Sequence, residues 1–277
     1  INIHECPPNG QGVVAIIILL ILEKFNISKM SKVDYMHLFC EACKIGYYLR
    51  DKYLSDPNTN KLSIEKFANS ELVDEYVSMI DFKKAKKFEI DNFPDHPDTI
   101  YLTTRDRKGM TVSFINSLFD AFGSGITAPK SGILFHCRGR GFNLIKEHPN
   151  ELKPNKRPMH TIIPAMLSEN NNLIGSFGVM GGQYQASGHA YVLSQMVDFG
   201  LNPQEALNCP RLFPNNGIID IENSFDKELI DELSIRGHKI NYPSELIGGG
   251  QMILIDSYKK VLVGASDWRK DGLALGY

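Results

Sequence analysis

The stretch from Asp98 to Ser117 sets limits on everything around it. Ile100, Leu102 and Thr104 alternate with Tyr101 and Thr103, Asp106-Arg107-Lys108-Gly109 carries turn chemistry, and Val112 and Phe114 resume the pattern. Period-two runs of β-branched and aromatic residues on either side of an Asp/Gly turn predict a two-stranded hairpin. The loop ahead of it, Asn92-Phe93-Pro94-Asp95-His96-Pro97-Asp98, is punctuated by prolines, and Thr99 opens the first strand. Were the Asp98–Thr99 bond cut, Thr99 would become a chain terminus. It would then hold a nucleophilic hydroxyl and, in an α-amine of pKa about 7.7–8.0, its own base. Most threonines at such positions serve β propensity alone, so the position raises the chemistry without establishing it. Ser117, eighteen residues on, is either returned beside Thr99 by the second strand or is a strand-surface serine; spacing does not choose.

The first ninety residues read as helical, with one helix over Gly12 to Phe25, a second capped by Ser31 and running toward Tyr53, and a third capped by Ser70 and ending near Lys87. Asp56-Pro57-Asn58-Thr59-Asn60 is a loop. After Thr99 strands dominate: Gly132 to His136, Thr161 to Leu167 paired with Leu173 to Val179, Ile218 to Ile221, and a last hairpin of Met252 to Ile255 with Val261 to Gly264. Helices over Tyr184 to Phe199, from Asn202-Pro203 through Leu207, and over Asp226 to Arg236 are interleaved with them. Hairpins with interspersed helices predict an α+β fold, two antiparallel sheets covered by helices in a four-layer α/β/β/α sandwich.

At 277 residues, 43% hydrophobic and 22% charged, the chain has the make-up of a soluble globular protein with a sizeable core. A net charge of −2 supplies no general field for nucleic acid or an anionic membrane. The apolar run Val13 to Leu22 falls short of the roughly 20 residues that span a bilayer and reads as a buried helix. Because the sequence opens in mid-phrase at Ile1, an upstream portion is expected, and cytoplasm and periplasm both stay open as locations. Five scattered cysteines argue against a disulfide framework, and Cys40-x-x-Cys43 in a helical pattern reads as two buried thiols rather than half a metal or redox site.

Three further segments carry possible chemistry. Gly181-Gly182, between a strand and a helix, exposes consecutive N–H groups suited to an oxyanion, although glycines also mark plain tight turns. Pro154-Asn155-Lys156-Arg157-Pro158-Met159-His160-Thr161 packs cations, a histidine and hydroxyls between prolines, and such a loop could hold a carboxylate or be a solvated connection. Ala265-Ser266-Asp267-Trp268-Arg269-Lys270-Asp271-Gly272, which carries the only tryptophan, suits terminal packing, with Asp267 and Arg269 available for an ion pair.

Taken in order, Thr99-Ile100-Tyr101-Leu102, the Asp106…Gly109 turn, Phe122-Gly123-Ser124-Gly125, Pro154-Asn155-Lys156-Arg157-Pro158, Gly178-x-x-Gly181-Gly182 and Ala265-Ser266-Asp267 resemble the γ-glutamyltransferases, which are N-terminal nucleophile hydrolases. The resemblance implies that residues 99–277 are the catalytic small subunit. Residues 1–98, from Pro7-Pro8-Asn9-Gly10-Gln11-Gly12 through mostly helical sequence, are then the C-terminal part of the large subunit. It further implies a zymogen that cuts itself before Thr99, giving both subunits from one precursor, with a dimer of such pairs compatible. Thr99 would then take the acyl group of a γ-glutamyl amide such as glutathione, with Ser117 supporting it and Gly181 and Gly182 holding the oxyanion. No metal or organic cofactor is implied. Departures from the family pattern bear on the acyl group. Phe119 stands for a substrate-binding asparagine, Arg140 and Gly141 for paired acids that receive an α-amine, and His160-Thr161 for a serine pair. An acylase for a dicarboxylic acyl chain without an α-amine, its distal carboxylate on Arg138 or Arg140, is therefore a competing reading. So is an uncleaved, non-enzymatic relative, while a redox or zinc protein built on Cys40 and Cys43 lacks further ligands.

Overall fold

The structure, a computed structural model, describes residues 1–59, 69–88, 98–215 and 217–277. The first long helix, α1 (Gly12–Leu22), is apolar on all sides, and Val14, Ile17, Ile18 and Ile21 are at most 1% exposed. It ends before Phe25 because the chain tightens there, Lys24 and Phe25 N–H donating to Ile21 and Leu22 carbonyls. Helix α2 (Lys32–Tyr53) begins where Ser31 Oγ accepts the Asp34 N–H. Its Gly46 lets α1 approach closely, since a Cβ there would lie 3.1 Å from Val14. Cys40 and Cys43 are fully buried within α2, and burial pushes both thiols up. Helix α3 (Ser70–Ser78) is capped by Asn69, not Ser70, and ends well before Lys87. Beyond it Asp81 folds into a side-chain turn with Lys83 and turns its carbonyl to His37 Nε2. Among the described residues, no helix is long and apolar enough to cross a membrane. The expected loop over residues 92–97 lies outside the described residues.

The main sheet is antiparallel throughout, in the order β1 (Asn2–His4), β4 (Ala165–Glu169), β5 (Asn172–Met180), β9 (Gly249–Asp256), β10 (Val261–Ser266). One face is covered by α4 (Gln185–Val197), on which α1 packs. On the other lies the hairpin of β2 (Asp98–Arg105) and β3 (Thr111–Phe119). Tyr101 and Ile115 pack on Met180, and the Tyr101 ring sits on Gly178, where a Cβ would come within 2.4 Å of it. Helices on an antiparallel sheet on a second antiparallel layer are consecutive layers of the expected sandwich, and the class is α+β. After α4 come α5 (Pro203–Asn208), whose Asn202/Glu205 capping box and Pro203 were readable in advance, and α6 (Lys227–Ile235), followed by Gly237 at φ +94°. A small separate sheet holds β6 (Leu212–Asn215), β7 (Ile218–Ile221) and β8 (Ile240–Asn241).

Two strand expectations change. Gly132 to His136 makes only an isolated bridge through Leu134 to Thr127, with Ile133 and Phe135 at least half exposed. β propensity without a neighbouring strand to pack against does not make a strand. Strand β4 starts at Ala165 rather than Thr161, because the carbonyls of His160 and Thr161 are already taken by Gln11 and Pro164 has no N–H to give.

A buried polar chain ties α2 to the segment after α6. Lys44 Nζ donates to Glu41 (2.7 Å) and to His238 Nδ1 (3.3 Å), His238 Nε2 meets His37 Nδ1 (2.8 Å), and His37 Nε2 donates to the Asp81 carbonyl. His37, Glu41 and His238 have ligand-type atoms within 4.8 Å of one another, but Lys44 and the Lys86 N–H close their hydrogen bonding from within the protein. Burial, with the Lys44 cation next in weight, holds His238 down at about 3, and burial lowers His37 as well. The unfolded chain takes up protons on these histidines near pH 6.5 while the folded one refuses them, so stability is full above that pH and declines below it. Urea midpoints of the protein are expected to fall between pH 7 and pH 5, with His238 contributing up to about 1.4 kcal/mol per pH unit. His238→Asn should flatten that decline.

Candidate active site

Strand pairing settles what spacing left open: Thr99 and Ser117 are direct partners across the β2–β3 ladder, with a register irregularity between Asp98 and Thr99. Thr99 is 9% exposed, and its Oγ1 has no hydrogen-bond partner among the described residues. A buried hydroxyl without a partner is uncommon, and functional sites are where such groups collect. Ser117 Oγ accepts the Phe119 N–H at 3.0 Å, across a tight end of β3 in which Phe119 takes φ +79°. Both hydroxyl residues line a cleft of about 880 Å³ bounded by β2, the end of β3, Met180, β9, β10 and the tail at Gly272 to Leu275.

Gly181 (φ +122°) and Gly182 (φ +57°) follow Met180 and lead through a single tight turn, Gly182–Tyr184, into α4. Their carbonyls are tied back into the protein: Gly181 O accepts the Tyr184 N–H at 3.0 Å and Gly182 O accepts Gln11 Nε2 at 3.1 Å. Because a peptide is planar, fixing the Gly181 carbonyl fixes the Gly182 N–H on the opposite side. The N-terminal end of α4 adds partial positive charge. Tyr47 Oη donates to the Gln183 carbonyl (2.5 Å), and the buried Arg50 guanidinium holds the side chains of Gln11 and Gln183. Gln11, Tyr47 and Arg50, which hold this turn, were passed over by site-by-site reading of the sequence, although Gln11 lies in the Pro-Pro-Asn-Gly-Gln-Gly run noted for its resemblance. Gly181 lines a second, smaller cavity of about 210 Å³ with Tyr184, Gly248 and Lys270, and Lys270 also lines the main cleft.

The expected substrate-binding residues sit deeper than anticipated. Arg138 is 2% exposed; its Nη1 donates to Thr161 Oγ1 at 3.0 Å, its guanidinium stacks 4.8 Å from the Phe119 ring, and its Nη2 has no partner among the described residues. Burial lowers it to about 10. Thr161 is fully buried, and none of Arg138, His160 and Thr161 lines the cleft. Burial and then the Arg138 cation hold His160 at about 4, so at neutral pH it is an uncharged ring beside the Asn9 amide (3.1 Å). The 154–161 loop does hold a carboxylate, but it is the protein's own: Arg157 binds Asp56 through its backbone N–H (2.8 Å) and its guanidinium (3.2 Å). Arg140 is likewise engaged, by Asp120. Asp267 pairs with Arg269 as anticipated and also with the buried Arg211, while its Oδ2 accepts the Gly250 N–H at the start of β9.

The family described as gamma-glutamyltranspeptidase matches residues 1–277. Among curated relatives, the chain is 30% identical to a glutathione hydrolase-like YwrD proenzyme of Bacillus subtilis, over 99% of this chain and 54% of that protein. It is 29% identical to an oxamate amidohydrolase proenzyme of Klebsiella pneumoniae, over 98% of this chain and 52% of that protein. A crystal structure of a cephalosporin acylase from Bacillus halodurans superposes with a TM-score of 0.91 at 38% identity, over 99% of this chain and 51% of that one. The chain thus spans about half the length of the curated relatives it matches. It belongs to the γ-glutamyltranspeptidase family.

Proposed function

We propose that this chain carries the reacting centre of a γ-glutamyltransferase-like amidohydrolase that matures by cutting itself before Thr99. Residues 1–98 would then belong to the larger product and residues 99–277 form the smaller. In maturation the Thr99 Oγ attacks the Asp98 carbonyl carbon and the peptide nitrogen departs as the Thr99 amine. Water then hydrolyses the resulting ester, leaving an Asp98 carboxylate. In turnover the same oxygen attacks the carbonyl of a γ-glutamyl or similar amide, its proton passing to the α-amine and on to the leaving amine. The Gly181 and Gly182 N–H groups stabilise the oxyanion, and water or an acceptor amine releases the acyl group. Ser117 supports the nucleophile from the facing strand. The observation that carries this reading is the buried Oγ1 of Thr99, without a hydrogen-bond partner among the described residues, on a residue that pairs with Ser117 and lines the cleft.

One observation favours a dicarboxylic acyl group without an α-amine. Arg138, a buried cation with an unfilled N–H and no carboxylate within ion-pair distance among the described residues, stands behind Phe119, close to where an α-amine would need acids. Thr161 Oγ1 accepts from Arg138 Nη1 and so orients that guanidinium. N-terminal sequencing of the protein after prolonged incubation, followed by intact mass after exposure to γ-glutamyl and glutaryl amides, tests both. The expected result is a product beginning at Thr99 that gains one acyl mass. A single uncut polypeptide that takes up neither acyl group would sink the reading.

A further inference from the structure

We propose that Glu5 and His189 are positioning residues for the oxyanion: a relay from the Glu5 carboxylate through the His189 ring to the Val179 N–H fixes the strand end from which the Gly181–Gly182 turn departs. The inference rests on the amidohydrolase reading above and adds to it two residues that touch no substrate. His189 lies on α4 and is fully buried, its ring 4.6 Å from that of Phe177. Its Nε2 accepts the Val179 N–H at 3.0 Å, so the ring carries its proton on Nδ1 and donates it to Glu5 Oε1 at 2.6 Å. Gly188 brings the helix that near, since a Cβ there would fall 2.7 Å from Val179 Cγ1.

The place of this relay in the sheet gives it its use. β4 stops pairing with β5 at Phe177, and the Val179 N–H, two residues on, goes to His189 rather than to β4. Gly181 follows after two residues more. Glu5, just past β1, is wedged against the first turn of α1, where a Cβ on Gly12 would meet Glu5 Cβ at 2.7 Å. From there the chain runs to Gln11, whose Nε2 donates to the Gly182 carbonyl at 3.1 Å. Residues 5–11 therefore hold the turn from both sides, ahead of it through His189 and behind it through Gln11. Stability is a poor account of the pair. Taking a carboxylate out of water costs several kcal/mol, of which one imidazole hydrogen bond returns only part, and Glu5 Oε2 has no hydrogen-bond partner among the described residues. Donors aimed at a developing negative charge are effective when their backbone is held in place before the reaction begins.

The test uses the full-length, self-cleaved protein with glutaryl and γ-glutamyl 4-nitroanilides, kcat being counted per Thr99 terminus, and a boronic acid bearing the acyl chain that is turned over. The boronate's tetrahedral adduct on Thr99 presents an oxygen to the oxyanion donors, whereas KM follows the fit of the ground state. His189→Gln puts an amide where Nε2 stood and can still accept from Val179; His189→Asn puts one where Nδ1 stood and cannot. H189N should lower kcat and boronate affinity together, each about tenfold, with KM little changed, and H189Q should keep most of both. Glu5→Ala should follow H189N, and Glu5→Gln, which still accepts from Nδ1–H, should recover most of the loss. Urea midpoints of the same variants are read alongside. Variants that lose stability while kcat and boronate affinity hold at wild-type values overturn the proposal, and so does an H189Q that falls as far as H189N. Should the His189 variants fail to fold or to cut, E5A against E5Q decides by the same two readouts. Failure of the wild-type protein to turn over either amide or to acylate Thr99 removes the amidohydrolase reading itself, a result distinct from these.

Discussion

Thr99→Ala is expected to give a precursor that stays uncut before residue 99 and hydrolyses amides about 10,000-fold more slowly, or worse, than the wild type. Removal of a nucleophile that works as a unit with its base costs losses of that order. The structure adds a control. Because Thr99 Oγ1 makes no hydrogen bond to any described residue, deleting it breaks none of those, and the variant should lie within about 1 kcal/mol of an uncut wild-type preparation, the cost of one buried methyl. Thr99→Ser keeps both hydroxyl and amine and should still cut and turn over, more slowly, since it lacks the methyl group that fixes χ1. Gel separation of the products under denaturing conditions and an anilide assay read both effects. Full activity in the alanine variant would exclude residue 99 as the nucleophile.

The second large effect is expected at Gly181. Its φ of +122° lies where side chains are strained, and an added Cβ would sit 2.8 Å from the Gly248 Cα, a backbone atom that cannot swing aside. Gly181→Ala must therefore move the turn that aims the Gly182 N–H. Loss of one oxyanion donor costs about 100- to 1,000-fold in kcat. The same change should lower stability by about 1–3 kcal/mol, as overpacking does. The two are separable: kcat is read on the fraction that remains folded, and the thermal midpoint is read directly. A variant that loses stability but keeps kcat would remove this turn from the reaction. Gln11→Ala, which frees the Gly182 carbonyl without adding an atom to the turn, should lower kcat in the same direction while leaving KM for the anilide little changed.

Local chemistry made much of this fold readable in advance. Ser31, the Asn202/Glu205 box and Gly237 mark helix ends by satisfying or terminating backbone hydrogen bonds within a few residues, and period-two alternation gives the β2–β3 hairpin. Failures came where a distant partner decides. Gly132 to His136 has strand composition but no neighbour to pair with, and β4 starts late because Gln11, some 150 residues away, takes its first carbonyls. In the site, the Thr99–Ser117 pairing needed only a hairpin register to emerge, whereas the depth of Arg138 did not. An arginine reads as exposed and available until its burial behind Phe119 is seen. Likewise Arg157 in the proline-bounded loop reads as a free cation, and only the fold reveals Asp56 already upon it.

Strand β1 has a consequence for what a scission before residue 99 would leave behind. Residues 2–4 are knitted to residues 166–168 at the margin of the main sheet, and Gln11 and Tyr47 grip the backbone at residues 182 and 183. Hydrolysis would thus liberate an end without liberating a fragment. Both polypeptides should co-elute as a single particle in native buffer and part company only in denaturant, much as a rivet can be filed through while the plates stay joined.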